Sequence, residues 1–595
     1  MASPITGAVA WKRPPARWQL PQPSSREAQE LSTALHLELL VARVLVHRGF
    51  DVAAADRFLS PSLAGLHDPF LMSDMARAAA RLWRSVQLKE PVLLYGDYDV
   101  DGTSSVVVLK KAIEILGGCA SFHIPHRLKD GYGMRSEVID VAAREGVRLV
   151  VSVDTGIRAG EVVRYAQAIG IDVIVTDHHL PEQELPPALA VLNPNRPDCA
   201  YPNKDLCGAG VTLKLVQALL KQSGMPEARQ AALLDSFLKP VAIATVADIV
   251  PLTGENRIIV QRGLSGMRSV KNLGLRALMT VAGLDEGEPP SAHQVAFRLA
   301  PRINAAGRMA TAKDVIELFL TNDPNRAKEI AEKLDALNRE RQQVEGEIVE
   351  AVLRQCEELA GMADQSAFVF AGDDWHLGVL GIVASRLVER LCRPVFVLSN
   401  SYSMDAALGP HLSGSGRSIA AFHLLDALEA MPELFAKFGG HRQAAGVTLH
   451  AVQLAEFQRR LCEHASTRLT NDDMRPLFIP DAHASFAELT SGCVEQLQRL
   501  GPFGFGNTNP LFHIHAAEVA APAKALKEGK HFNVPLRHEG RTIYCKAWNF
   551  GDRAELFEPG TKLDLLVQIE DDAYSRKRGY APWTVVVKDA KLAVR

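Results

Sequence analysis

Three aspartates stand at every second position, Asp97, Asp99 and Asp101, directly after the apolar run 92–95 and Gly96 in "PVLLYGDYDVDGTSS". In extended backbone, side chains alternate faces, so carboxylates at i, i+2 and i+4 line one side. Like charges that close repel strongly and need compensation. Three more clusters follow in chain order: Asp154 in "VSVDTG", Asp177-His178-His179 in "VTDHH", and Asp248 in "TVADIVPL". Carboxylates with imidazole and without thiolate are the ligand set of a divalent cation such as Mn²⁺ or Mg²⁺. Two such ions, about 3.5–4 Å apart, would neutralise the aspartates, clamp the oxygens of a phosphoryl transfer and lower the pKa of a bridging water. Taken singly, each aspartate reads as a helix cap or turn residue, and Asp101 before Gly102-Thr103-Ser104 as an ordinary helix start. Four sites ending successive strands, one with a His-His pair, favour the metals.

The elements that must position these residues follow from the surrounding pattern. Apolar strands are predicted at 91–97, 148–154, 172–179 and 190–194, separated by helices such as 104–116 and 159–170. Buried apolar strands alternating with helices indicate an open, mostly parallel α/β sheet, whose ligands sit beyond the carboxyl ends of the strands. A helix is expected at 73–88 with Ser73 or Asp74 as its cap. Residues 1–25, rich in Pro and Ser, read as an extended lead-in, and 255–300 as less regular. Residues 323–360 read as one long helix, with a solvated connector as its plain interpretation. A second α/β pattern spans about 361–465. From about 470 short alternating runs suggest a small β-barrel, with a basic hairpin tip at Arg576-Lys577-Arg578.

The expected fold class is therefore α/β: two α/β domains joined by a long helix, plus a C-terminal barrel. The boundaries are a partly helical N-terminal extension at 1–70, a catalytic domain at 71–260, a helical connector at 261–360, a substrate-binding domain at 361–467 and the barrel at 468–595. The composition is ordinary for a soluble globular protein, with 47% hydrophobic and 23% charged residues. A formal net charge of −3 gives no whole-protein basic field, though a local basic groove is compatible with it. The eight cysteines form no C-x-x-C pair, so reduced thiols and a cytoplasmic location are expected. The N-terminus lacks an apolar signal core, and no apolar stretch of membrane-spanning length is read, so no membrane partner is expected.

The set "YGDYDVDGTSS", "VSVDTG", "VTDHH" and "VADIVPL" resembles the DHH phosphoesterase superfamily. "APRINAAGRM" at 300–309, "SGSGRS" at 413–418, "GGHRQAAG" at 439–446 and "LGPFGFGNTNP" at 500–510 narrow the resemblance to the RecJ family of single-strand-specific DNA exonucleases. It runs from about residue 45 to the end. Many other DHH enzymes carry a histidine where this chain has Asp97, and aspartate suits the exonuclease branch.

The resemblance implies a metal-dependent exonuclease that removes nucleotides from the 5′ end of single-stranded DNA, in recombination and repair. Asp97, Asp99, Asp101, Asp154, His178 and Asp248 match metal-binding positions, with Asp154 bridging two Mn²⁺ or Mg²⁺ ions. His179 matches a phosphate-contacting or acid/base residue, or else one that orients a ligand. The second α/β region resembles the DHHA1-type domain that grips substrate. Its Gly-rich "SGSGRS" would offer backbone amides, Ser413, Ser415 and Arg417 to phosphate, and "GGHRQAAG" would add Gly439, Gly440 and His441. Arg302, Asn304 and Arg308 would add phosphate contacts, with an ion pair as the plainer role for the two arginines. The barrel resembles an OB-fold, with Phe503, Phe505, His531, Phe532, Tyr544 and Trp548 as stacking candidates beside Lys524, Lys527, Lys530, Arg537, Arg541 and Lys546. Single-stranded DNA is the expected partner, with a single-strand-binding protein and a helicase as further ones. The competing functions are a DHH phosphodiesterase acting on oligoribonucleotides or cyclic dinucleotides, and a non-catalytic replication-fork scaffold.

Overall fold

Strands rich in Val, Ile and Leu that are buried on both faces require helices on both sides. The computed structural model shows that arrangement. It describes residues 14–22, 25–126, 133–284, 287–358, 362–400, 410–572, 575–576, 578–579 and 581–594. Much of the lead-in read at 1–25 and Lys577 of the basic tip lie outside the described residues.

The chain divides into two compact units, Leu20–Leu337 with Pro480–Arg595, and Asn338–Ile479 with the residues before Leu20. In the first unit, strands β1 (Pro91–Gly96), β2 (Cys119–His123), β3 (Leu149–Val153), β4 (Asp172–Thr176) and β5 (Ala190–Leu192) form a parallel sheet in the order β2-β1-β3-β4-β5. Side-chain alternation splits it cleanly. Val92, Leu94, Val151 and Ile174 join one core, and Leu93, Tyr95, Val150 and Val173 join the other. Edge strand β2 was not predicted: in "CASFH" Cys119 and Ser121 face solvent and break the apolar run. The helix after β1 is Val100–Ile115, starting earlier than expected because the Asp99 side chain caps it. The helix Met75–Leu88 begins after Asp74, but that carboxylate makes no cap bond. It instead accepts from Val191 N at 3.1 Å and binds Arg196 at 2.8 Å, fastening the helix to β5.

The region read as less regular is largely helical, with Gly254–Gly266, Leu273–Val281 and Ala300–Met309. The long helix is Pro324–Glu358. It is more than a solvated connector. Ala327, Ile330, Ala331 and Leu334 pack into the catalytic core, and the buried face continues through Asn338, Arg341, Glu345, Ile348 and Val352. Among the described residues one helix, Glu227–Ala247, is long and apolar enough to cross a membrane by length and composition. Here its Leu238, Val241, Ala242 and Ile243 belong to the catalytic core.

The second unit carries β6 (Phe368–Gly372), β7 (Val395–Ser399), β8 (His411–Arg417), β9 (Phe435–Gly440) and β10 (Ala444–His450), in the order β9-β10-β8-β7-β6. Within this sheet β6 and β7 pair in parallel, and the pairings β7–β8, β8–β10 and β10–β9 are antiparallel.

Returning to the first unit, the barrel comprises β11 (Ala482–His483), β12 (Leu511–Val519), β13 (Lys524–Leu526), β14 (His531–His538), β15 (Arg541–Ala547), β16 (Lys562–Asp571) and β17 (Trp583–Leu592). The order is β11-β12-β16-β17-β15-β14-β13, and a β12–β14 pairing closes it. Helices Arg26–Leu35, Leu39–His47 and Val52–Leu59 share its core: Leu31, Val41, Leu45 and Phe58 cluster with Phe486, Ile514 and Val567. The N-terminal helices thus complete the barrel.

Candidate active site

The carboxyl ends of β1, β3 and β4 deliver the site as the sheet topology requires. Asp97 follows β1 and is buried. Asp99 caps Val100–Ile115, accepting from Asp101 N at 2.9 Å and Gly102 N at 3.0 Å, and still offers a carboxylate oxygen to a group with Asp97 and Asp154. Capping the helix leaves this residue free to contribute to that group. Asp101 is buried and accepts from Gly208 N at 2.6 Å and Ala209 N at 2.8 Å, the N-terminus of helix Gly208–Gln222. That dipole stabilises a carboxylate, so part of the compensation for the three aspartates comes from backbone. Nothing in "CGAGVT" announced this role.

Asp154 lies just past β3 in left-handed backbone, φ +60°, with its N–H held by Thr176 O at 2.9 Å. Gly208 sits against it: a Cβ there would come within 2.6–2.8 Å of the Asp154 side chain. His178 is the hub. Its Nε2 lies 3.3 Å from Asp154 Oδ1, 3.7 Å from Asp248 Oδ2 and 3.8 Å from Asp101 Oδ2. Asp248 comes from the C-cap of helix Glu227–Ala247 and not, as expected, from a strand end. Left-handed Ile249, φ +59°, turns the chain away after it.

Asp177 is fully buried, and its carboxylate is spent on backbone amides and the neighbouring ring. It accepts from Ile157 N, His178 N and His179 N, and its Oδ1 lies 2.7 Å from His179 Nδ1. Asn195 and Asn193 fix the carbonyls of His178 and His179 at 2.7 and 2.8 Å. Sequence reasoning missed all three supports. The first letter of the triplet positions the other two.

The electrostatics follow from crowding in a dry site. Burial, then the charges of Asp101, Asp99, Asp97 and Asp248, hold the Asp154 carboxyl well above the usual carboxylate range. Burial and then Asp101 and Asp99 push Asp248 up to about 9. Burial lowers His178, favouring the neutral imidazole. Burial would also lower His179, but the Asp177 hydrogen bond and charge outweigh it and raise that imidazole to about 9. Among the described residues Asp154 Oδ1 accepts no hydrogen bond although it is buried. A carboxylate-rich donor set with one orphaned oxygen at its centre fits a divalent cation.

Around the centre, Asn304 Oδ1 accepts from Val100 N at 3.2 Å, and Gly307 allows Tyr98 O to lie against helix Ala300–Met309. Asn304 therefore props the aspartate loop. Arg302 is bound to Asp335 at 2.8 Å and to the carbonyls of Arg298 and Val281, so the ion-pair role holds for it. Arg308 lies half-buried in the last turn of the same helix. The "LGPFGFGNTNP" segment packs on the loop after Asp248. Phe505 O accepts from Leu252 N at 2.8 Å, and a Cβ at Gly506 would meet Pro251.

In the other unit, "SGSGRS" is not an open phosphate loop. It is the central strand β8, whose backbone is spent on ladders to β7 and β10. Its glycines serve packing: a Cβ at Gly414 would lie 2.0 Å from Val397 O, and one at Gly416 would strike the Phe396 ring. Ser413 pairs with Thr448 at 3.0 Å, and Ser415 is half-buried. Arg417 ends the strand and lies over Gly381 of helix Leu377–Leu391. Gly439 and Gly440 end β9, and His441 opens the exposed turn to β10, so Arg417, Gly440 and His441 meet at one end of the sheet.

On the barrel, Tyr544, Trp548 and Phe505 are exposed, with His531 5.0 Å from the Trp548 ring. Phe532 is core and Phe503 packs against it. Arg541 is spent on the carbonyls of Phe486 and Leu489, Lys546 on Asp572 and Arg537 on Glu518.

A parallel α/β sheet ending in carboxylates around one imidazole is the architecture of a metal-dependent phosphoesterase. Residues 91–245 match the DHH family N-terminal domain, 364–467 the DHHA1 domain and 480–581 the RecJ OB domain. The chain is 35% identical over 578 residues to the single-stranded-DNA-specific exonuclease RecJ of Bacillus subtilis, covering 97% of this chain and 71% of that protein. It is 36% identical over 490 residues to the Escherichia coli protein of that name, covering 80% and 83%. The crystal structure of Thermus thermophilus RecJ in complex with Mn²⁺ superposes with a TM-score of 0.81 at 29% identity, over 97% of this chain and 80% of the other. The chain belongs to the RecJ family of single-stranded-DNA-specific exonucleases.

Proposed function

We propose that this protein uses Mn²⁺ or Mg²⁺ to hydrolyse single-stranded DNA one nucleotide at a time from its 5′ end. The observation that carries the metal-dependent chemistry is His178 Nε2 placed 3.3–3.8 Å from three carboxylates, one with an oxygen that accepts no hydrogen bond among the described residues. Solved RecJ structures in complex with Mn²⁺ and with Mg²⁺ support the choice of ions. Asp97, Asp99, Asp101, Asp154, His178 and Asp248 would hold two ions, with Asp154 common to both. When bound, such ions acidify water and neutralise charge on phosphoryl oxygens.

The protein's own residues orient these groups. The amides of Gly208 and Ala209 fix the Asp101 carboxylate. Asp177 accepts from His179 Nδ1 and its charge favours the imidazolium, so Nε2 also carries a proton that can meet a phosphate oxygen or pass to the leaving oxygen. In the other unit, Arg417, Gly440, His441 and the N-terminus of helix Leu377–Leu391 offer a site for the DNA backbone. The exposed barrel residues Tyr544, Trp548 and His531 suit base stacking. The RecJ OB domain match favours long strands over the short substrates of other DHH phosphodiesterases.

The 5′ polarity rests on family membership, as do the roles in recombination and repair and the cytoplasmic location. A helicase and a single-strand-binding protein would supply and hold the strands such an enzyme needs. Digestion of 5′- and 3′-labelled single strands and duplexes, each with Mn²⁺, Mg²⁺ or chelator, tests the reading. Metal-dependent release of mononucleotides from the 5′ end of single strands supports it. Release from the 3′ end, or undiminished cleavage in chelator, overturns it.

A further inference from the structure

The barrel carries a second group of metal-capable side chains remote in the fold from the catalytic carboxylates. His513 and His515 stand two apart on β12, and Asp564 faces them from β16, with ligand atoms of all three within 4.8 Å of one another. β12 bulges at this point. Its register shifts between Ile514 and Ala517, and Ala516 sits at φ +51°. The bulge turns Ala516 N onto Asp564 Oδ1 at 3.0 Å and brings His515 Nδ1 to 2.7 Å from that oxygen.

A histidine behind the group sets its protonation. His483 on β11 pairs in register with His513, and their Nδ1 atoms are 2.9 Å apart. The other nitrogen of His483, Nε2, lies 3.2 Å from Pro21 O. A carbonyl only accepts, so His483 Nε2 carries the hydrogen. A neutral His483 then presents its lone pair at Nδ1 and accepts from His513 Nδ1–H. His513, in turn neutral, is left with its lone pair at Nε2. An outer partner that fixes one nitrogen and so directs the lone pair of the other is how ligating histidines are oriented.

We propose that His513, His515 and Asp564 form a second metal site, with His483 as its positioning residue and water completing the shell. Two imidazoles and one carboxylate suit a zinc-class cation (Zn²⁺ or Co²⁺) rather than the Mn²⁺ or Mg²⁺ that suit the carboxylate-rich centre. His513 is buried, Asp564 is partly covered and the His515 side chain is 63% exposed, so the ion is reachable from solvent. Occupancy clamps β12 to β16 at the bulge.

Co²⁺ is the probe, added to the full-length protein in a large excess of Mg²⁺ that keeps the catalytic centre filled with a hard ion. The expected result is about one Co²⁺ bound per chain with the visible absorption of a low-symmetry, nitrogen-ligated site. His515→Ala removes an exposed side chain and should abolish that absorption and weaken Co²⁺ binding at least ~10-fold. Asp564→Asn, which keeps the shape of the side chain, should do the same, and Asp154→Asn should leave the absorption in place. No Co²⁺ absorption under excess Mg²⁺, an absorption unchanged in both His515→Ala and Asp564→Asn, or its loss in Asp154→Asn would each overturn the site.

Discussion

Asp154 holds a left-handed backbone conformation and a buried carboxylate oxygen that accepts no hydrogen bond among the described residues. An L-residue adopts that conformation only when its surroundings impose it, and here the Thr176 carbonyl and the bare face of Gly208 do so. Asp154→Asn keeps the shape and removes the charge. Turnover should fall about a thousandfold or more, ~4 kcal/mol of barrier, with little change in thermal unfolding. Single-turnover cleavage of a labelled strand and a circular-dichroism melt check this, and near-normal cleavage at low Mn²⁺ would refute the bridging role. Asp177→Asn acts on a different step, since it withdraws the charge that holds the His179 proton. Cleavage should drop roughly 10–100-fold while the number of bound Mn²⁺ ions stays the same. Loss of metal instead would show that Asp177 supports the ligands more than it supports His179.

The clustering of the aspartates was legible in the sequence because carboxylates repeated at period two after an apolar run repel one another unless a positive group lies between them. What supports them was not, since the amides of Gly208 and Ala209 and the side-chain amides of Asn193 and Asn195 reach the site only through tertiary folding. At the scale of elements the same contrast recurs. The buried strands β1, β3 and β4 announce themselves by composition, whereas edge strand β2 is too polar and too exposed to do so. "SGSGRS" was misread because glycine serves two physical ends alike. It can bare amides to a ligand, or it can let one strand lie tightly on another, and only the neighbour across the ladder distinguishes them. Gly414 is of the second kind, so Gly414→Val should destabilise its unit by about 3 kcal/mol or more. Gly446→Ala, whose added Cβ meets nothing nearer than 3.7 Å, should shift stability by less than ~1 kcal/mol. Urea unfolding of the two variants gives the comparison, and equal losses would restore the loop reading.

In the first unit as a whole, two buried cations tie segments that lie far apart in the chain. Lys214 Nζ binds Glu255 at 2.9 Å and His67 O at 2.7 Å, and Tyr201 OH meets the same carboxylate. Glu255→Ala strands the ammonium in the core and should destabilise by about 3–5 kcal/mol, read as a fall in the urea midpoint. A midpoint unchanged within error would show that water reaches Lys214. Arg257 stacks 3.8 Å over the Phe58 ring and donates to the carbonyls of Phe58, Arg499 and Leu500. It joins helix Gly254–Gly266 to both the N-terminal helices and the approach to the barrel. A break at 467/468 therefore does not free a finished catalytic half. A chain ending at residue 467 should bind a hydrophobic dye and unfold at a lower temperature than the full protein. Native-like unfolding without dye binding would separate the barrel from the rest after all.

The shared core of helices 26–59 and the barrel also sets a schedule for synthesis. A ribosome makes those helices long before their partner strands, because the catalytic domain and the second unit lie between them in the chain. At about 5–20 residues per second, tens of seconds pass between the two. During that interval the nascent chain carries Leu31, Val41, Leu45 and Phe58 with no surface to cover them. Holdase chaperones would find their target there, at the front of the chain. Helix Gly254–Gly266 waits too, because two of the carbonyls that receive Arg257 emerge only with residues 499 and 500. A nuclease built this way reaches its working form only after its barrel strands have been made.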